Sequence, residues 1–179
     1  MFAANASRSR LGLRHALAGL HAGILGTMVM LACLMAGSLV DRRSVWLVPN
    51  LFATTFFGSD AYMNQYMGSS SWAGLAVLFA IYGALGVIWG CVWRDQKKTG
   101  LVFFGAVAGL AIYFLLFDLV WRHLNPLIAL YAPDRQLEIG HVLWGMVLAR
   151  SPRYAREIIA RLVEEEEPAT AAYNGEVIL

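Results

Sequence analysis

The chain has 179 residues, of which 59% are apolar and only 15% are charged, whereas charged residues make up roughly 25% of an average soluble domain. The net charge is +2 and the basic residues are dispersed along the chain, which argues against a concentrated basic surface for nucleic acid. The charges fall in short clusters between long uncharged stretches, so we expect an all-α polytopic membrane protein built as a bundle of four transmembrane helices.

Three apolar stretches are each long enough to cross a bilayer, and they occupy residues 16–40, 72–93 and 101–121. The hydrocarbon core is about 30 Å thick and a helix rises 1.5 Å per residue, so a crossing needs around 20 apolar residues. Trp72 and Trp93 flank the second stretch, and indole rings favour the headgroup layer. We therefore assign these three segments as transmembrane helices.

The fourth span is shorter and is assigned to residues 134–149. Pro133, Asp134 and Arg135 interrupt the apolar residues before it, and a helix from Asp134 to Ala149 would be only about 24 Å long. Such a helix can cross only if the polar residues of its first turns face protein or a water-filled recess.

Lysine and arginine residues indicate the orientation of these spans. The N-terminal segment, the 94–99 loop and the C-terminal segment share one face and carry ten basic residues, whereas the opposite face carries four. Loops rich in Lys and Arg stay in the cytoplasm, so we expect a multi-pass protein of the bacterial inner membrane with both termini cytoplasmic. The four external basic residues are Arg42, Arg43, Arg122 and Arg135.

Two segments outside the spans are also rich in apolar residues. The external loop 41–71 has aromatic and aliphatic residues on both sides of Pro49-Asn50, which predicts a short helix lying in the membrane interface. Residues 151–167 begin with Ser-Pro and continue with apolar residues at helical spacing, which predicts an amphipathic cytoplasmic helix resting on the membrane. The composition of residues 168–179 favours a solvated, disordered tail.

Small residues recur at four-residue spacing inside the spans. Helices in lipid gain little from hydrophobicity and associate through close contact between small residues. Two interpretations remain open: packing within one chain, and a face for dimerisation. The pairs are Gly19 with Gly23, Gly86 with Gly90, and Gly105 with Gly109, and Gly83, Gly140 and Gly145 extend the set.

Polar residues near the external ends of the third and fourth spans form the candidate site. Asp118 and Arg122 are four residues apart, and Glu138 and His141 are three apart, so each pair shares a helix face. The connection between the two spans is short, so we expect one cluster of all four residues in the outer leaflet. Charges in hydrocarbon are costly unless paired or hydrated, which makes such a cluster the first place to look for function.

Three interpretations of this cluster compete. In the first, Arg122 pairs with Asp118 and Glu138 while a neutral His141 donates and accepts hydrogen bonds. In the second, the cluster responds to protons or relays them. In the third, Glu138 and His141 bind a metal, although di-iron bundles use two Glu-x-x-His pairs and two further glutamates, whereas this chain has one such pair.

Motifs for cofactors and catalysis are absent from the sequence. His21 and His141 lie in opposite halves of the membrane, so they cannot be the two axial ligands of one haem, and we expect no cofactor. The sequence contains no GxSxG, HExxH, phosphate-binding loop or paired CxxC motif, so we expect no enzymatic activity.

The stretch of residues 137–144, followed by a basic segment, resembles the C-terminal part of certain small bacterial inner-membrane proteins, some of which are associated with acid tolerance. Glu138, His141 and Trp144 are the matching positions. The resemblance implies a four-span layout and carries no activity. We therefore expect a non-catalytic structural or accessory protein that contacts lipid and pairs with a second copy or with another membrane protein. The alternative is a proton-coupled or acid-responsive membrane protein that uses Asp118, Glu138 and His141.

Overall fold

The computed structural model describes residues 2–93, 101–158 and 160. All regular secondary structure in these residues is helical, so the all-α prediction is confirmed. Within them, three helical segments are long and apolar enough to cross a membrane: Gly12–Val40, Ser69–Val92 and Val102–Leu124. These three segments contain the first three predicted spans, apart from one residue at an end of the second and of the third.

The three long segments differ in regularity. Helix α1 (Phe2–Val40) extends well beyond the predicted span at its N-terminal end. The second, which we number α4 (Ser69–Val92), is uninterrupted. The third begins as α5 (Leu101–Phe114) and continues into a π-helical segment (Leu115–Trp121) and a last turn, α6 (Arg122–Leu124).

Helix α8 (Asp134–Leu148) lies against both α1 and α5. It runs antiparallel to α1, because Gly37 lies beside Gln136 near one end and Gly26 lies beside Trp144 near the other. Helix α4 is also antiparallel to α1, and α5 is antiparallel to α8. The four helices therefore alternate in direction, as in an up-and-down bundle.

Backbones touch directly along two of these helix pairs. A methyl group added at Gly86 of α4 would overlap the carbonyl oxygen of Gly19 in α1, and one added at Gly145 of α8 would overlap that of Gly105 in α5. Only glycine lets two helix backbones approach this closely. The structure places all six glycines of the predicted pairs along these two seams, which are Gly19, Gly23, Gly86 and Gly90 between α1 and α4, and Gly105 and Gly109 with Gly145 between α5 and α8.

The segment 41–71, between the first two long helices, folds against the bundle. It contains α2 (Leu47–Phe57) and α3 (Ser59–Met63). Seven consecutive residues of α2 are buried, and α2 packs against α4, where Gly74 leaves room for the carbonyl of Pro49. The prediction of a helix here is confirmed. Protein covers its first part, whereas Phe56 and Phe57 at its end are exposed, and its placement at the membrane interface stays a prediction.

Buried Asn50 fixes the α2–α3 hairpin to the start of α4. Its amide donates to the carbonyl oxygen of Asn64, and its own carbonyl oxygen accepts a 2.6 Å hydrogen bond from the hydroxyl of Ser71. Asn125 makes a similar link further along: it caps α7 (Pro126–Tyr131) and donates to Thr54 at 2.8 Å. This end of the bundle is thus held together by buried amides that have partners.

Beyond α8, residues 151–158 are helical. Tyr154 packs edge-on against His21 of α1, with 4.9 Å between ring centroids, and Ser151 and Ala155 are buried. The remainder of the predicted amphipathic helix 151–167, apart from residue 160, and the predicted tail 168–179 lie outside the described residues.

The glycine seams yield a first prediction. Replacing Gly86→Ala should lower the free energy of unfolding by about 1–3 kcal/mol, because the added methyl group forces α1 and α4 apart. Thermal unfolding of the detergent-purified protein measures this change. Gly12→Ala is the matched control: its added methyl group meets nothing within 4 Å, so a loss of stability as large as that of Gly86→Ala would contradict the argument.

Candidate functional site

His141 lies in the centre of the bundle and is fully buried. Helix α8 carries it to the point where α4 and α5 face each other. Its Nε2 atom is 2.7 Å from the hydroxyl of Tyr82 in α4, and its Nδ1 atom is 2.7 Å from the carbonyl oxygen of Leu137, one turn earlier in α8. Both ring nitrogens therefore have partners inside the protein.

These partners define the tautomer of His141. A backbone carbonyl can only accept, so Nδ1 must carry a hydrogen and donate it to Leu137. The remaining nitrogen, Nε2, can then accept from the hydroxyl of Tyr82. A neutral imidazole thus satisfies every polar atom of the pair, as a buried polar group in a membrane bundle requires.

Aromatic rings enclose His141. The ring centroids of Tyr82, Tyr113 and Phe117 lie 5.3, 5.3 and 5.8 Å from that of the imidazole, each in an edge-to-face arrangement. Trp144 covers the other side of Tyr82 and donates a 3.3 Å hydrogen bond to the carbonyl oxygen of Gly23 in α1. Side chains from α4, α5 and α8 therefore meet at one histidine, and Trp144 connects that group to α1.

A separate recess of about 420 Å³ opens beside this aromatic group, near the start of α8. Tyr113 lies between the two: its ring touches His141, and its hydroxyl donates a 3.4 Å hydrogen bond to Asp134. The carboxylates of Asp118 and Glu138 are also near enough to act electrostatically on that hydroxyl. The residues that line the recess include Tyr113, Phe117, Asp118, Arg122, Leu130 and Asp134.

The structure divides the predicted cluster of Asp118, Arg122, Glu138 and His141 into two groups. Asp118 and Arg122 line the recess beside Tyr113 and are exposed. Glu138 is half-buried near Tyr113, whereas His141 points inward and bonds to Tyr82. The reason is geometric: residues three apart on a helix are offset by about 60°, enough to direct one side chain to the recess and the other to the centre.

The third-span segment that faces His141 is π-helical. Phe117 and Trp121 lie in this segment and are both buried against Phe52 of α2. A π-helical turn is rare and is frequently found at functional sites. Here it brings a column of aromatic rings to the junction of α2, α5 and α8.

The structure also bears on metal and haem binding. Among residues 2–93, 101–158 and 160, no three His, Cys, Asp or Glu side chains converge in a way that could hold a metal ion. Glu138 and His141 could act as ligands only if His141 lost Tyr82 or Leu137 as a partner. His21 packs on Tyr154, far along α1 from the level of His141.

Several residues of the site are not singled out by sequence reasoning. Tyr82 and Tyr113 occur within apolar spans, where a tyrosine is easily counted as one more aromatic residue. The spacing of Asp134 puts it on the same stripe of the fourth span as Glu138 and His141, but Asp134 is not one of the four residues of the predicted cluster. A phenol near the middle of a span is the signal that could have pointed to Tyr82, because its hydroxyl needs a partner in hydrocarbon.

Comparison of the chain with family models, with curated proteins and with solved structures gives no match. The interpretation of the site therefore rests on its own residues.

The Tyr82–His141 pair yields a second prediction. Tyr82→Phe leaves the buried Nε2 atom of His141 without a hydrogen-bond donor, which should lower the free energy of unfolding by about 1–3 kcal/mol. Chemical unfolding in detergent, followed by tryptophan fluorescence, measures the loss. The control is Tyr131→Phe, which removes a hydroxyl from an exposed tyrosine and should change stability by less than about 0.5 kcal/mol. Equal stability of Tyr82→Phe and the unsubstituted protein would contradict the role assigned to this pair.

Proposed function

We propose that this chain is a four-pass protein of the bacterial inner membrane, with both termini in the cytoplasm, that acts without catalysis as a structural or accessory component. The observation that carries the proposal is the complete pairing of the polar atoms of His141 inside a close-packed bundle. A histidine used this way holds helices together and is not presented to a substrate.

The course of α8 along α1 supports a fourth crossing. Helix α8 alone is about 22 Å long and the 151–158 helix adds about 12 Å, which together exceed the roughly 30 Å of the hydrocarbon core. The pair begins beside Gly37 and ends beside Leu17, close to both ends of the apolar part of α1. In this proposal the last crossing consists of two helices with a break near Arg150.

The charge distribution supports the orientation. Four crossings put both termini on one side, and the side with ten basic residues is the cytoplasm by the positive-inside rule. The exposed side chains of the long helices support direct contact with lipid or with another membrane protein. Large apolar side chains such as Phe103, Val107 and Phe114 project outward from α5, where a soluble protein would carry polar residues.

An accessory role predicts a stable complex. Purification in a mild non-ionic detergent, followed by native mass spectrometry, should detect the chain bound stoichiometrically to a second copy or to another membrane protein. Phe103→Ser combined with Val107→Ser should weaken this complex, while Leu13→Ser, on an exposed position of α1, should leave it intact. A folded chain that is always monomeric and without a partner would contradict the accessory role.

A second candidate function, an acid-responsive or proton-coupled membrane protein, is favoured by one specific observation. The hydroxyl of Tyr113 donates a hydrogen bond to Asp134, the carboxylates of Asp118 and Glu138 act electrostatically on it, and the Tyr113 ring contacts His141. Carboxylates, a phenol and an imidazole in sequence are groups that can accept and release protons. The resemblance of residues 137–144 to proteins associated with acid tolerance points in the same direction.

This second candidate is tested with Asp134→Asn, Tyr113→Phe and His141→Ala. If it is correct, these variants should reduce survival after acid challenge, and they should reduce proton flux into vesicles that contain the purified protein. Asp60→Asn, at an exposed residue of α3, is the matched control and should change neither survival nor proton flux. Folded variants with unchanged survival and flux would rule the candidate out in favour of the structural role.

A further inference from the structure

A second external recess, separate from the one beside Tyr113, has a volume of about 510 Å³. It lies where three segments meet: the connection between α1 and α2, the end of α3, and the end of α7. Its polar and aromatic lining comprises Arg42, Arg43, Ser44, Tyr62, Gln65 and Tyr131.

The walls of this recess are fixed by contacts between the three segments. Tyr62 and Tyr131 stack with their ring centroids 5.0 Å apart, which joins α3 to α7. The hydroxyl of Ser44 donates to the carbonyl oxygen of Gln65, which joins the α1–α2 connection to the residues after α3. A recess held in this way is largely formed before a ligand arrives, which reduces the cost of binding.

The lining residues carry two positive charges. They include Arg42 and Arg43, both exposed, and, among the described residues, no aspartate or glutamate. The neighbouring Asp41 accepts a 2.6 Å hydrogen bond from Gln136 of α8, outside the lining. Two guanidinium groups in a partly enclosed polar recess attract an anion, and their planar donors match the oxygens of a phosphate.

The backbone conformation of Arg42 also supports an anion site in this recess. Arg42 has φ = 55°, and the described part of the chain has no other non-glycine residue with positive φ. The N–H of Arg43 donates to the carbonyl oxygen of Ser38, and that of Arg42 donates to Leu39. This pair of bonds is the Schellman ending of a helix, in which the left-handed position is usually glycine. An arginine there is locally unfavourable, and such outliers cluster where a side chain serves a ligand.

Exposed apolar side chains near the recess indicate that the anion belongs to a lipid and is not a free ion. Leu39 and Val40, the last two residues of α1, are 64% and 82% exposed, and Leu130 at the rim of the recess is 72% exposed. These side chains would meet acyl chains just below the level of the two arginines. A ligand with a phosphate at the arginines and hydrocarbon beside these leucine and valine side chains is an amphiphile.

We propose that the recess formed by Arg42, Arg43, Tyr62 and Tyr131 binds the phosphodiester headgroup of an anionic phospholipid in the outer leaflet. The guanidinium groups bind the phosphate oxygens, Ser44 and Gln65 line the polar end, and the acyl chains lie along Leu130 and the last turn of α1. This site rests on the membrane placement proposed above and is independent of the accessory role.

Native mass spectrometry of the full chain tests the proposal, with phosphatidylglycerol and phosphatidylcholine of identical acyl chains as probes. The unsubstituted protein should retain phosphatidylglycerol about tenfold more strongly. The double variant Arg42→Gly, Arg43→Gln should retain the two lipids equally. Arg42→Gly supplies the residue that the Schellman ending favours, so this variant should fold at least as well as the parent. Arg135→Gln, an external arginine outside the recess, is the matched control and should keep the preference.

Two results would overturn the proposal. One is equal retention of both lipids by the unsubstituted protein, or an unchanged preference in the double variant. The other is displacement of phosphatidylglycerol by millimolar inorganic phosphate but not by chloride at the same ionic strength, which would make the recess a site for free phosphate. Membrane fractionation separates these outcomes from failure of the membrane placement, because a chain recovered in the aqueous fraction would refute that placement itself.

Discussion

Direct backbone contact at the glycine seams is the constraint on which the rest of the structure depends. Where Gly19 meets Gly86 and Gly105 meets Gly145, two pairs of antiparallel helices approach without side chains between them. Helix α8 then packs on α1 as well as on α5, so it joins one pair to the other. Because α8 occupies this position, His141 faces the interior instead of lipid. A larger residue at any of these seams would move the histidine relative to Tyr82.

A polar group buried in an apolar bundle is costly unless it has a partner. Three buried polar side chains of the described residues have short, specific bonds, whereas others, such as the indole N–H of Trp121, have no partner there. His141 is paired with Tyr82 and Leu137, Asn50 with Ser71, and Asn125 with Thr54. Each bond joins elements that are distant in the sequence or adjacent turns of one helix. In an environment of low polarity an unpaired group is costly, so these bonds specify one arrangement of the helices as well as stabilising it.

The sequence predicts the positions of the helices along the chain better than it predicts which surfaces pack together. Runs of apolar residues bounded by charges are sufficient for the three long segments, because membrane thickness imposes their length. The burial of the first part of α2 against α4 could not be predicted, because a short apolar helix in a loop has the same composition whether lipid or protein covers it. The partner of His141 could not be predicted, since Tyr82 is 59 residues away and nothing local marks it. The acidic and basic residues at the outer ends of the spans were expected to gather around His141. Helix rotation separates Asp118 and Arg122 from it instead.

The π-helical segment Leu115–Trp121 changes the direction in which the side chains after it point around the helix axis. A π-turn accommodates one residue more than an α-turn, and one residue corresponds to about 100° of rotation around a helix axis. An uninterrupted α-helix of the same sequence would therefore present a different side to α2 by the time it reached Asn125, and that amide would point away from Thr54. The π-helical turn thus rotates the residues after it around the helix axis. Because of this rotation, α5 packs against α8 while Asn125, at the other end of the same segment, bonds to α2.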